Sequence, residues 1–370
     1  MTYSEFKEKA AQKKIWLPTG FKKLDQYLGI GSGTMYLFGG QAGAGKTAIV
    51  DSCFFLDLYA YIQKQDKYDI EWVYFSLERP IENKYAKIAA YKYYKDTGIV
   101  VDVPQIMGWK GYINAQHILD KYDTFIEGLL KKVTFIRERM SPEKIYAILI
   151  KKAYDNGTHI KVKEESDGLR IYRNNEKAEL FYNETIIDIY GKKYKVSQHS
   201  YFYVSKNPYK IIMPIIDHMG KISQEKEILD KVSLYLSHLR DVYGMSPILI
   251  SQFNRDIYDV QRRIKTSNLP LESDFKGTGN LYEDADIALG LYYPAKQQEF
   301  SHDGYDMDLF RDSKGRHRFR SMTLMKNSYG ADNLNFGLIF VGENGAIHEI
   351  DPPQEIQSNK IIEVIKRLDQ

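Results

Sequence analysis

The chain has 370 residues, 43% of them hydrophobic, and its 52 lysines and arginines against 49 aspartates and glutamates leave a net charge of +3. That length buries a sizeable core and exceeds a minimal domain, while so small a charge excludes a global basic field, so any nucleic-acid surface must be a local patch. The one cysteine, Cys53, excludes an internal disulfide or a cysteine-based metal cluster, and its apolar setting makes it a packing thiol in a reducing compartment.

The N-terminal stretch MTYSEFKEKAAQKK has no apolar centre of the kind a secretory signal needs, and no run reaches the ~18 apolar residues of a membrane span. A soluble, intracellular, cytoplasmic protein with no membrane partner is expected. Thr2 and Glu5 have capping-box spacing ahead of Phe6 and Ala10, which predicts a short charged helix over residues 3 to 14. From TMYLFGG onward, apolar runs alternate with helical stretches: 48 to 64 after the first run, 81 to 94 after WVYFSL, 144 to 153 after VTFI, and 225 to 243 after IIMPIID. Strands that read as continuous apolar runs are those buried on both faces of a parallel sheet, so the pattern predicts an α/β domain with a mainly parallel central sheet flanked by helices.

Between 156 and 206 the pattern changes to polar–apolar alternation around Asp167-Gly168 and Gly191, which predicts β-hairpins inserted in the main domain. After IDPP, Ile361, Ile362, Ile365 and Leu368 recur at helical spacing, so a terminal amphipathic helix is expected, with docking on its own chain favoured over a partner site. The expected organisation is a linker helix at 1 to 16, one large domain at 17 to 350 carrying the insertion, and a tail helix at 351 to 370.

GQAGAGKT, comprising Gly40, Gln41, Ala42, Gly43, Ala44, Gly45, Lys46 and Thr47, fits G-x-x-x-x-G-K-[ST] between a strand and a helix. Glycines there let successive backbone N–H groups curl around phosphate oxygens, the lysine reaches the β- and γ-phosphates, and the hydroxyl serves Mg²⁺. Three further strand ends carry polar groups that such a site needs. YKIIMPIID ends in Asp217, a carboxylate for the metal; VYFSLERP delivers Glu78, a group able to deprotonate an attacking water; PILISQ ends in Ser251 and Gln252, whose amide can sense a γ-phosphate. A plainer role for Glu78 is that of a helix-start carboxylate favoured by the helix dipole.

Taken together these residues resemble the RecA-like ATPase domain of DnaB-type replicative helicases. PTGFKKLDQYLG is similar to the opening segment of that domain, GQAGAGKT to its Walker A, SLERP to its catalytic-glutamate motif, IIDHMG to its Walker B and ISQFNRD to its glutamine sensor. LPLESDFKGTGNLYEDADIAL resembles its DNA-binding loop and following strand, and the matches keep family order over residues 17 to 349. The resemblance implies ATP and Mg²⁺ as cofactors, Lys46 and Thr47 on nucleotide and metal, Asp217 on metal, Glu78 as base and Gln252 as sensor. It implies single-stranded DNA as partner, a homo-oligomeric and specifically hexameric ring, and a primase or loader as further candidates. It points to Lys276, Gly277 and Gly279 on DNA, to which the basic run NRDIYDVQRRIK adds Arg255, Arg262 and Arg263.

The family ends a core strand in Lys-Asn-Arg-x-Gly, supplying cations to a neighbour's γ-phosphate, whereas this chain reads MKNSYG: Lys326 is kept and Ser328 stands at the arginine's place. Either Lys326 suffices, or Arg316, Arg318 or Arg320 compensates, or turnover is slow. Three functions are open, the first two from the resemblance and the third from the departure at Ser328. They are a DnaB-type helicase motor, a RecA-like recombinase or mediator that binds single strands without unwinding, and a loader or structural ATPase with slow turnover.

Overall fold

A computed structural model of the chain describes residues 15–78, 80–111, 113–182, 185–259, 268–275 and 279–369. The helix expected at 3 to 14 and the candidate DNA contacts Arg262, Arg263, Lys276 and Gly277 lie outside these.

The apolar runs become one nine-stranded sheet. In chain order its strands are β1 (Tyr36–Gly40), β2 (Asp69–Ser76), β3 (Val133–Ile136), β4 (Lys210–Asp217), β5 (Ile248–Gln252), β6 (Ile287–Tyr292), β7 (Phe319–Asn327), β8 (Leu334–Val341) and β9 (Ala346–Glu349). Across the sheet they run β9-β8-β7-β6-β1-β5-β4-β2-β3. The six from β6 to β3 are parallel, and β7, β8 and β9 add antiparallel pairs at one side.

Every residue of β1 and β6 is buried, because helices cover both faces. Phe38, Ile215 and Ile250 point into one core, while their neighbours Leu37, Ile216 and Leu249 point into the other, as period-2 geometry requires. The first face holds α1, which runs through α-helical Lys46–Val50, π-helical Asp51–Leu56 and α-helical Asp57–Ile62, together with α2 (Ile81–Thr97). The short α3 (Val103–Ile106) leads to α4 (Ala115–Leu130) on that side. The opposite face holds α5 (Pro142–Asn156), α6 (Lys226–Tyr243) and α7 (Gly279–Asp284). The tail helix α8 (Ser358–Arg367) buries Ile361 and Ile365 in the first core of its own chain.

Local signals set the helix ends. Asp102 and Gln105 cap α3 reciprocally, and Asn114 and Ser141 cap α4 and α5. Trp72 of β2 is wholly buried and donates its indole N–H to Phe54 O at 2.8 Å, so its truncation to alanine should destabilise by about 3–5 kcal/mol.

Between α5 and β4 the chain leaves the sheet. Gly157–Glu165, Gly168–Arg173, Glu176–Leu180 and Tyr201–Ser205 form a four-stranded antiparallel sheet, and Ile186–Ile189 pairs with Lys192–Lys195 in a hairpin. Ile160, Ile171, Ile187, Ile189 and Val196 give this insertion a small core of its own. It rests on α5 and α6 through tyrosines: Tyr203 OH donates to Ala153 O at 2.8 Å, and Tyr201 OH lies 2.8 Å from His238 Nε2. No helix among the described residues is long and apolar enough to cross a membrane.

Candidate functional site

The site lies at the carboxyl ends of the parallel strands, where β1 turns into α1. Gly43 (φ +80°) and Gly45 (φ +97°) take left-handed conformations that side chains resist. The loop thereby folds tightly enough to start α1 at Lys46, and a helix's first N–H groups have no intrahelical partner, which suits them to anions. Lys46 Nζ donates to Gly40 O and Gln41 O at 2.8 and 2.9 Å. Burial pulls its pKa down to about 8 against the opposing attraction of Asp217 and Glu78. Gln41 is buried and accepts from Tyr293 N at 2.9 Å, which ties the loop to the end of β6.

Register brings the other groups beside the loop. Asp217 is opposite Ser76 of β2, so Glu78 leaves the neighbouring strand end two residues later, and Gln252 is opposite Gly40. Thr47 Oγ1 donates to Asp217 Oδ1 at 3.2 Å. Asp217 is 7% exposed, and burial raises its pKa while Lys84 opposes that shift and Asp51 adds to it. A cavity of about 340 Å³ is lined by Gly43, Lys46, Thr47, Glu78, Asp217 and Gln252, among others. A hydroxyl beside a buried carboxylate is a hard-oxygen pair that fits Mg²⁺, which is held by one or two protein oxygens together with substrate phosphates. Among the described residues no group of three or more His, Cys, Asp or Glu forms a separate metal cluster.

Gln252 is also joined to the next loop. Phe253 pairs with Phe275 in an isolated bridge and Asn254 N donates to Asp274 O at 2.7 Å. Both rings pack over Gly39, where a Cβ would come within 2.2 Å of Phe253 and 2.5 Å of Phe275. Phe275 directly precedes the candidate DNA contact Lys276 in sequence. Arg255 is exposed in a 3₁₀ turn just after Gln252, and Gly279 begins α7.

Lys326 is not brought to this cavity within one chain. It lies at the end of β7 that pairs with the start of β6, while the phosphate loop follows the other end of β1. Its ammonium donates to Tyr282 O and Glu283 O at 3.0 and 2.6 Å. Of the three arginines weighed against Ser328, Arg318 is clamped by Asp312 and Glu343 at 2.9 and 2.5 Å, and Arg316 reaches the same two carboxylates. Arg320 does approach the loop. It lies 3.4 Å from the Tyr293 ring centroid and 5.0 Å from that of Phe340, with Nη2 3.4 Å from Gly43 O.

Several cavity residues escaped the sequence reading. Phe340 and Gly342 follow from β8, His218 follows Asp217, and Lys87 comes from α2. Lys296 donates to Ala42 O at 3.0 Å from outside the loop. One signal was present for Lys87: with Lys84 it interrupts the stripe of α2 that carries Ile88, Tyr91 and Tyr94 into the core, and a charge on an apolar stripe calls for a partner.

No protein-family model matches the chain, and no curated protein matches it in sequence. Solved structures do. The ATPase domain of G40P matches with a TM-score of 0.58 and 15% identity, over 94% of this chain and 96% of that one. A DnaB-like replicative helicase, solved with its interactions with primase, matches with a TM-score of 0.56 and 14% identity, over 94% of this chain and 65% of that one. The chain thus has the fold of a RecA-like ATPase domain of the kind found in DnaB-like helicases.

Proposed function

We propose that the chain is an ATP-hydrolysing motor of the DnaB type that moves on single-stranded DNA and unwinds duplex during replication. The observation that carries this reading is the convergence of Lys46, Thr47, Asp217, Glu78 and Gln252 on one cavity at the end of a parallel sheet. In it, the segment from Gly40 to Thr47 holds the phosphates of ATP, and Thr47 with Asp217 holds Mg²⁺, which would supply charge neutralisation at the phosphates. Glu78 orients a water and takes its proton as the new oxygen–phosphorus bond forms and the bond to the ADP oxygen breaks. Lys46 steadies the charge on the transferred phosphoryl group. Gln252 senses the γ-phosphate and passes its loss through Phe253 and Phe275 toward Lys276 and Gly277, the next residues in sequence.

Lys326 sits at the far end of its own strand, so a role at a phosphate belongs to a neighbouring subunit's site; this supports a ring, with a hexamer as the form that the resemblance to DnaB-type helicases implies. Arg255, Arg262, Arg263, Lys276, Gly277 and Gly279 are proposed to face the DNA, with a primase or loader as further partners. A loader or structural ATPase of slow turnover is the second reading, favoured by Ser328 alone. A forked duplex tests the first: ATP-dependent strand displacement by the wild type, lost in Glu78→Gln, is expected. Hydrolysis without displacement would move the assignment to the recombinase or loader reading.

A further inference from the structure

Resting on the reading of the cavity as a nucleotide site, we infer that Lys87 is a second phosphate-binding cation, held on Asp51 until a nucleoside triphosphate takes it over. Asp51 lies in the π-helical turn of α1, 3% exposed. Its Oδ1 accepts from Lys84 Nζ at 2.5 Å and from Tyr74 OH at 2.9 Å. Lys84 also donates to Tyr74 OH at 2.8 Å and lies 3.9 Å from the centroid of that ring. This close cluster serves Oδ1 of the carboxylate with one lysine and one hydroxyl.

Lys87 is the second lysine on the same carboxylate, at 3.8 Å from Oδ2. That separation is an ion pair without a hydrogen bond. Its side chain is 20% exposed against 9% for Lys84. It lines the cavity of the phosphate loop and also a smaller one of about 100 Å³ shared with Thr47, Glu78 and Asp217. Its stem crosses the turn between β8 and β9: a Cβ on Gly345 would lie 2.4 Å from Lys87 Cε, 2.9 Å from Nζ and 3.6 Å from Ala48 Cβ. The ammonium therefore sits beside Gly345 and close to Ala48 in the first turn of α1, in the lining of the cavity that Lys46 also lines.

A polyphosphate held on that turn lies in the cavity that both Lys46 and Lys87 line, within reach of a second cation. When Lys87 moves from Asp51 Oδ2 to a phosphate oxygen, Asp51 keeps the Lys84 ammonium and the Tyr74 hydroxyl on Oδ1, so its charge stays paired. The 3.8 Å pair with Asp51 gives way to a shorter, charge-assisted hydrogen bond.

Calorimetric titration with MgADP and with the slowly hydrolysed MgATPγS, at two salt concentrations, tests this on wild type, Lys87→Ala, Lys87→Gln, Lys87→Arg and Lys46→Ala. Lys87→Ala and Lys87→Gln should weaken both ligands about tenfold or more, as expected for a lost hydrogen bond to a charged group, and should flatten the salt dependence. Lys87→Arg should restore most of the affinity. The near-isosteric Lys87→Gln carries the test should Lys87→Ala melt early. Wild-type affinity in Lys87→Gln, with binding lost in Lys46→Ala, overturns the inference alone. A loss that Lys87→Arg does not restore marks a structural lysine and also overturns it. Unchanged binding in Lys46→Ala, or none in the wild type, overturns the nucleotide reading itself.

Discussion

Strand β4 joins two regions of opposite character. Its first residue, Lys210, lies beneath the insertion and pairs with Glu71 at 2.8 Å, while Glu71 also takes Lys152 of α5 at 2.7 Å. Its last residue, Asp217, lies at the cavity, where neighbouring polar atoms are left over: His218 Nδ1 and Gln41 Nε2 are buried without a hydrogen-bond partner among the described residues. The end beneath the insertion has its carboxylates paired with lysines, although both ring nitrogens of His159 in the seam are likewise buried without a hydrogen-bond partner among the described residues. The other keeps charge and hydrogen-bonding capacity in reserve, as a site that must accept an anionic ligand does.

The largest effect should come from the smallest change at the unsatisfied end. Lys46→Ala and Glu78→Gln should each lower ATP turnover roughly 10²- to 10⁴-fold, with melting temperatures close to wild type. Nucleotide titration separates them: Glu78→Gln keeps ATP affinity and Lys46→Ala loses it. Normal hydrolysis by Glu78→Gln would leave that residue as a helix-start carboxylate and erase the contrast between the two ends.

The two ends were unequally legible in the sequence, for a physical reason. The phosphate loop is local in sequence, and Asp217, Glu78 and Gln252 each end an apolar run, so strand register alone sets them side by side. Phe340 and Lys87 reach the same cavity by tertiary routes. Phe340 arrives from β8, three strands away from β1, and Lys87 from a helix stripe whose charges matter only once Asp51 faces them. In the insertion, turn residues marked the hairpins. Gly168 (φ +119°) and Gly191 (φ +76°), at the expected turns, do take positive-φ conformations, whereas the turn at Asn174 and Asn175 (φ +49° and +69°) was not among those expected. The seam with α5 and α6 was not legible, because a tyrosine in an alternating strand reads the same whether it meets solvent or a helix.

A second, smaller effect concerns Lys326 and Ser328. If Lys326 completes a neighbour's site, ATPase activity per subunit should rise with protein concentration as the oligomer forms, and Lys326→Ala should remove that rise. Ser328→Arg should raise turnover several-fold or more, since a guanidinium grips phosphate bidentately where a hydroxyl cannot. A rate independent of concentration in the wild type and both variants would return the site to a single chain.

The matched end should answer to acid rather than to nucleotide. Burial alone would raise the Glu71 pKa, yet hydrogen bonds from Lys152 and Lys210 take it down to about 2. A carboxyl with a depressed folded pKa stabilises above its ordinary value of 4.5 and loses that contribution as pH falls from there toward 2. Burial likewise pushes His159, in the seam, from 6.5 down to about 4, so its neutral form favours the fold and this contribution is lost as pH falls through that range. Thermal melts from pH 7 to pH 3 should show a falling midpoint. Glu71→Gln should cost about 1–3 kcal/mol at pH 7 and flatten the lower part of the curve. An unchanged acid limb would show that these pairs do not hold the seam.

The smallest effect on turnover should come from the largest change. Gly157 and Ser205 are paired neighbours at the base of the insertion, and Lys206 N donates to Asn156 O at 2.9 Å. The chain therefore leaves and rejoins the core at adjacent points, and replacing residues 158–204 with two glycines closes the gap without moving α5 or β4. The deletion uncovers Tyr154 and Tyr243, which now pack near His159, and His238, which packs near Tyr201, so the melting temperature should fall. Basal ATPase activity should stay within about threefold of wild type, because the cavity is built at the opposite end of β4 and none of its groups comes from the insertion. A loss as deep as that of Lys46→Ala, in a deletion variant that still melts cooperatively, would mean that the insertion acts on the chemistry through β4, and the two ends would have to be treated as one device.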